Sequence, residues 1–229
     1  MPRETIGAKR IRALAVAERM GAHYPQAECA LNYHGDPFKL LIAVLLSAQT
    51  TDKGVNKVTP LLWEAYPTAS ALAQADPARV EEILRPIGYY RTKAANCIRC
   101  AAMVLADFGG EVPASMEGLQ KLPGVGRKTA NIVLNEAFGI VEGIAVDTHV
   151  FRIAHVLGFS KAKDPARTEA DLLKLYPHEY WEPINRQWVL FGRETCIARR
   201  PRCAECIIAD LCPSTWQGGL DQRLSNPQL

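Results

Sequence analysis

At 229 residues the chain is long enough for one large domain or two small ones. With 48% hydrophobic and 22% charged residues it has the composition of a soluble globular protein, which excludes a disordered or low-complexity polymer. A formal net charge of +3 permits a nucleic-acid partner without requiring one, and the apolar run at 40–46 is too short to span a bilayer.

The chain opens with interspersed Arg and Glu and no signal-peptide apolar region, so its start is read as part of the fold and its compartment as the cytoplasm. Residues 9–20 are amphipathic, with Arg3, Lys9, Arg10 and Arg12 expected on a solvated helix face. Asp36-Pro37 is a cap followed by proline at the first helical position, which predicts a strongly apolar helix over 38–49. Helices are predicted over 52–66, 69–74 and 76–84, the last again with an Asp-Pro start. A loop at 86–90 precedes a long Ala-rich helix, capped by Thr92 and stopped by Gly109-Gly110 after Phe108. Helices at 115–122 and 127–138 flank a Pro-Gly-Val-Gly turn. A connection at 139–145 leads to helices at 148–157, from Asp164-Pro165 onward, and at 179–191. No stretch shows hairpin chemistry or sustained alternation, so the fold class is all-α. Many short helices with tight loops predict two helical lobes with a ligand cleft between them, and the polar stretch 213–229 is expected to be a loose tail.

Of the seven cysteines, four fall at Cys196, Cys203, Cys206 and Cys212. Four thiolates within 17 residues can enclose one centre, and soft sulfur ligands suit zinc or an iron–sulfur cluster alike. Cys97 and Cys100 lie one turn apart in the Ala-rich helix and read as small core hydrophobes, as does Cys29. Arg199, Arg200 and Arg202 crowd the loop between the first two cysteines, where they form a candidate phosphate contact or a solvated basic loop.

The remaining chemistry gathers at Leu122-Pro123-Gly124-Val125-Gly126-Arg127-Lys128-Thr129-Ala130-Asn131 and at Val146-Asp147-Thr148-His149. Glycines before a helix let the backbone approach a ligand, and the helix N-terminus favours an anion. The turn is not a nucleotide loop, because Arg127 interrupts the Gly-Lys-Thr pattern and no strand precedes it. Lys128 reads either as an ordinary surface lysine or as a nucleophile: the macrodipole at a first helical turn, and desolvation in a cleft, favour the neutral amine, while the negative charge of a nearby Asp147 opposes them. Asp147 reads as an N-cap, a role compatible with presenting its charge at a helix mouth.

Those two motifs, Leu45-Leu46-Ser47-Ala48-Gln49 and the cysteine spacing together resemble the endonuclease III family, the iron–sulfur branch of the helix–hairpin–helix DNA glycosylases. The resemblance spreads over about residues 36–213. It implies a six-helix barrel domain at 30–140 and an iron–sulfur domain built from 1–29 and 141–229. It also implies a 4Fe–4S cluster on the four cysteines and a double-stranded DNA partner carrying damaged bases or abasic sites. The implied activity is a bifunctional glycosylase and abasic-site lyase acting on oxidised pyrimidines as a monomer at the bacterial nucleoid. Lys128 is then the Schiff-base nucleophile and Asp147 its acidic partner. Gln49 fills the place of the flipped nucleotide. Ile87 and Tyr89 lie in the loop that wedges the helix, with Tyr89 standing where leucine is common. Gly124, Val125 and Gly126 supply backbone contacts to a phosphate, beside a bound monovalent cation. The 139–145 connection reads as longer than the family's. Lys128 and the short segment after Cys212 disfavour the adenine- and mismatch-specific branches, and a non-catalytic damage-binding paralogue is the alternative from another class.

Overall fold

A computed structural model describes residues 4–214, and among these the regular structure is helical, with no strand. The chain divides into two compact units, Cys29–Glu142 and a second one formed by the residues before and after it.

In the Cys29–Glu142 unit, α2 (Pro37–Leu46) is apolar apart from Lys39 in its first turn, and Leu40, Leu41, Ile42, Ala43 and Leu46 are fully buried. A helix of that kind has no face to give to water and becomes the centre of its unit. Burying each such Leu or Ile side chain contributes about 1.5–3 kcal/mol. Against it pack α3 (Asp52–Ala65), α6 (Tyr90–Phe108) and α8 (Arg127–Phe138); α4 (Ala69–Ala73) and α5 (Pro77–Leu84) pack on α6, and α7 (Met116–Lys121) on α8. Cys97 and Cys100 are fully buried in this core, while Cys29 packs half-buried at its edge. Most of the helix starts are set locally: Asp36 accepts from the N–H groups of Phe38 and Lys39, and Thr51, Thr68, Asp76 and Ser115 each accept one N–H.

The other unit contains α1 (Ile6–His23), α9 (Thr148–Val156), α10 (Pro165–Leu175) and α11 (Trp181–Glu194), followed by two short 3₁₀ turns in the cysteine segment. Its core joins Val16 and Met20 of α1 to Val150 and Ile153 of α9, Leu172 of α10, and Trp188 and Phe191 of α11. The basic face of α1 is only partly solvated: Arg10 is exposed, whereas Lys9 and Arg12 are half-buried, and all three donate to backbone carbonyls. Lys9 donates to the Gly158 carbonyl at 2.8 Å and Arg10 to that of Lys174 at 3.0 Å. Arg12 donates to the Leu157 carbonyl at 2.9 Å and the Leu211 carbonyl at 3.1 Å while pairing with Glu4, and its side chain is only 16% exposed. These cations satisfy carbonyls at chain turns, a use that periodicity does not report. Arg3 lies outside the described residues.

Three boundaries differ from expectation. The apolar helix ends at Leu46, because the chain turns through Ser47 and Gln49 adopts a left-handed conformation with φ +53°. Thr92 does not cap α6. The chain enters that helix earlier, through Tyr89 at φ +57°, without a side-chain cap. The last long helix runs Trp181–Glu194 after a 3₁₀ turn over His178–Tyr180. Of the expected loose tail, Ser214 is held, its hydroxyl donating to the Val156 carbonyl at 2.7 Å, and 215–229 lie outside the described residues.

Candidate active site and cluster cavity

The glycine turn is anchored on both sides by buried residues, Leu122 and Val125. The Val125 N–H donates to the Leu122 carbonyl at 3.1 Å, and Gly124 sits at φ +80°, so Pro123 and Gly124 are the central pair of a type II turn. A side chain at Gly124 would be strained by that φ and would also press Leu45 Cδ2 at 3.1 Å and Asn96 Nδ2 at 3.2 Å. Gly126 differs. It is extended, at φ −91° and ψ 175°, N-caps α8 without a side-chain bond, and a Cβ there would meet nothing within 4 Å. The mouth of α8 is therefore open, with the helix's positive end facing outward. One sequence expectation changes here. The Val125 N–H is consumed by the turn, which leaves Gly124 and Gly126 as the glycine-turn donors for an anion.

Lys128 lies in the first turn of α8 and is exposed, as is Arg127.

Asp147 ends a stretch in which Ile144, Ala145 and Val146 are buried, and Asn185 Nδ2 pins the Ala145 carbonyl at 2.7 Å. It is half-buried and N-caps α9. Both capping bonds, from the N–H of His149 at 2.9 Å and of Val150 at 2.8 Å, fall on Oδ1. Oδ2 has no hydrogen-bond partner among the described residues. The cap and a second task are carried by different oxygens of one carboxylate.

Gln49 is exposed on its left-handed turn, and Tyr89 is 68% exposed on its own. Positive φ in a non-glycine residue costs on the order of 1 kcal/mol or more, so both are held where the surrounding structure demands it. Ile87 behaves otherwise. It is 4% exposed and belongs to the core, which makes it a support of the 86–89 loop rather than a side chain offered to a ligand.

Arg199, Arg200 and Arg202 are exposed, with no side-chain partner among the described residues. Cys196, Cys203, Cys206 and Cys212 line one cavity of about 50 Å³, together with apolar Ile153, Leu157, Phe191 and Ile208. Burial pushes the Cys196 thiol up to about 11 and raises that of Cys206. Metal binding must displace those protons. No three His, Cys, Asp or Glu side chains among the described residues are arranged to hold a single ion. Four thiols round one cavity fit the all-cysteine ligand set of an iron–sulfur cluster.

Arg152 was not singled out from sequence. It donates to the Cys196 carbonyl, approaches Cys196 Sγ at 3.5 Å, and bonds the Gly192 carbonyl at 3.3 Å. Gly192 has no room for a Cβ, which would lie 2.6 Å from His149 Nδ1. The available signal was weak: an arginine three residues after His149, beside the buried Ile153, in a helix that also carries Thr148, His149 and His155. Its positive charge lies beside the Cys196 sulfur, where it favours the thiolate form that a metal would need.

Residues 42–178 match the HhH-GPD superfamily of base excision DNA repair proteins, and residues 196–212 match the iron–sulfur binding domain of endonuclease III. Endonuclease III of Synechocystis is 47% identical over 209 residues, which are 91% of this chain and 95% of that protein. An endonuclease III in non-covalent complex with DNA is 42% identical with a TM-score of 0.85, over 90% of this chain and 96% of that one. An endonuclease III trapped as a covalent intermediate with DNA matches with the same identity, TM-score and coverage.

Proposed function

The chain belongs to the HhH-GPD superfamily of base excision DNA repair proteins and, within it, to the endonuclease III family, and from that premise we propose that Lys128 and Asp147 are its catalytic pair. It is a base-excision DNA glycosylase with abasic-site lyase activity, and its cofactor is a 4Fe–4S cluster. The two compact units are read as its functional domains, and Cys196, Cys203, Cys206 and Cys212 as the cluster ligands.

The neutral Lys128 amine attacks C1′ of a nucleotide turned out of the duplex. The glycosidic bond breaks, its electron pair leaves with the base, and the base takes up a proton. The sugar ring opens to a Schiff base on Nζ. Removal of a C2′ proton then expels the 3′ phosphate by β-elimination. Asp147 Oδ2 faces the positive charge that develops on the sugar and serves the proton transfers. Gly124 and Gly126 hold a backbone phosphate, with a monovalent cation beside the turn. Arg199, Arg200 and Arg202 contact further phosphates. Gln49 and Tyr89 occupy the space vacated in the helix. The damaged bases are oxidised pyrimidines such as thymine glycol, and the protein acts as a monomer in the cytoplasm, at the nucleoid. Among the described residues no helix is long and apolar enough to cross a membrane.

The observation that carries this reading is the open, side-chain-uncapped mouth of α8 with Lys128 in its first turn. Borohydride reduction on duplex DNA containing thymine glycol or an abasic site tests it. The intact protein should form a covalent adduct and Lys128→Gln should bind the same DNA without one. An undiminished adduct in Lys128→Gln refutes the assignment.

A further inference from the structure

The chemistry assigned above makes no use of a buried lysine in α6. Lys93 is 6% exposed, a placement lysine rarely takes without an opposite charge beside it. Its ammonium donates to Thr50 Oγ1 at 2.5 Å, and it has no carboxylate partner among the described residues. Burial holds it below the ordinary lysine range, with Cys97 acting weakly in the other direction. A lone buried charge is costly, and an apolar side chain of similar length would fill the space without that cost. What such a side chain could not do is hold Thr50.

Thr50 directly follows Gln49. Lys93 comes one helical turn after Tyr89, and its own N–H donates to the Tyr89 carbonyl at 3.0 Å. One residue therefore grips the turn that presents Gln49 through its side chain and the residue that opens α6 through its backbone. The two segments also meet beneath. A Cβ on Gly54 would lie 3.1 Å from Thr50 Cγ2 and 3.9 Å from Ile87 Cγ2, so the Gln49 turn, the start of α3 and the 86–89 loop converge on one point. Among the described residues, non-glycine positive φ occurs at His34, Gln49 and Tyr89, and the last two are the residues this lysine ties together.

We propose that Lys93 is a positioning residue that sets the spacing of Gln49 and Tyr89, and through them the rate at which a nucleotide is extruded from duplex DNA. It touches neither the sugar nor the damaged base. The proposal rests on the reading of Gln49 and Tyr89 as the side chains that enter the duplex. Two exposed side chains on left-handed turns stay aligned only while both turns are held, and a displacement of about 1 Å in such a constellation can cost on the order of a hundredfold in rate.

The test uses the cluster-loaded protein with Lys93→Met, which keeps length and removes charge, with Thr50→Val, which keeps volume and removes the acceptor, and with both together. Single-turnover excision of thymine glycol is measured in a matched duplex and in an unpaired bubble, where no helix must be opened. Each single variant should slow duplex excision by about tenfold or more and leave the bubble within about twofold. The double variant should be no slower than the slower single, since both act through one hydrogen bond. Fluorescence of 2-aminopurine opposite a tetrahydrofuran abasic analogue should report reduced unstacking in the same variants. Equal slowing on duplex and bubble would overturn the proposal in favour of a merely structural lysine. If Lys93→Met does not fold, Thr50→Val decides alone. Gln49→Ala and Tyr89→Ala separate the two levels. If they slow duplex excision and the Lys93 and Thr50 variants do not, the positioning role fails; if none of the four slows it, the reading of Gln49 and Tyr89 fails with it.

Discussion

Substituting Asp147 separates its two roles, because the oxygens divide them. The cap consists of two hydrogen bonds on Oδ1, at 2.9 and 2.8 Å. Asparagine caps a helix about as well as aspartate and offers a carbonyl oxygen at the same place, whereas alanine offers none. Asp147→Asn should therefore leave stability within a few tenths of a kcal/mol, and Asp147→Ala should lose about 1 kcal/mol, within a range of roughly 0.5–2. In a chain of this size that loss lowers Tm by about 2–4 °C. The chemical loss should be common to both variants, since each removes the negative charge left on Oδ2. A preorganised charge facing a developing cation is worth on the order of 10²–10³ in rate. Thermal melts of the cluster-loaded proteins and single-turnover excision on thymine glycol duplex measure the two quantities side by side. If Asp147→Asn excises within about threefold of the parent, the carboxylate is only a cap and the catalytic assignment is wrong.

The two glycines of the turn should respond differently. Gly124→Ala meets both a strained φ and the side chains of Leu45 and Asn96, and should destabilise by about 1–3 kcal/mol, whereas Gly126→Ala should fold normally and weaken DNA binding, as thermal melts and fluorescence anisotropy would report. Replacing Arg199, Arg200 and Arg202 by alanine should reduce the slope of log affinity against log salt by about 0.9 for each phosphate that is no longer neutralised, and an unchanged slope would remove that loop from the interface. Cys203→Ser should abolish the visible absorption of a thiolate-bound cluster and lower the Tm; a colourless parent protein with stoichiometric zinc would refute the cofactor assignment. Burial raises the Cys100 thiol from 9.0 to about 12, and the Tyr24 phenol from 10.0 to about 12 with help from Glu194. Both groups stay protonated in the fold where the unfolded chain would ionise, so stability is full below pH 9 and should fall as pH rises from 9 through 12 in urea titrations.

Features whose causes lie within a few residues were legible in the chain. Asp36, Asp76, Ser115 and Asp164 cap N–H groups two or three positions away, so four helix starts followed from local chemistry alone. The apolar run of α2 needed no partner to declare itself central. The cysteine spacing belongs here too, because all four thiols reach one cavity from a single short segment. The Pro-Gly turn was equally plain, though not that closing it would consume the Val125 N–H.

What only the tertiary structure decided are pairings made by distant parts of the chain. Arg12 satisfies the carbonyls of Leu157 and Leu211, 145 and 199 residues away. Arg152 meets Cys196 across 44 residues, and Lys93 meets Thr50 across 43. Ile87 looked like a loop residue for a ligand and is instead core, because whether an apolar side chain in a loop points inward depends on what lies beneath it. A charged residue announces only that it needs a partner, and helical periodicity says which face it is on. Its partner, water or a buried carbonyl, is chosen by packing, and that choice is what turns the basic face of α1 into an anchor and the lysine of α6 into a tie between two turns.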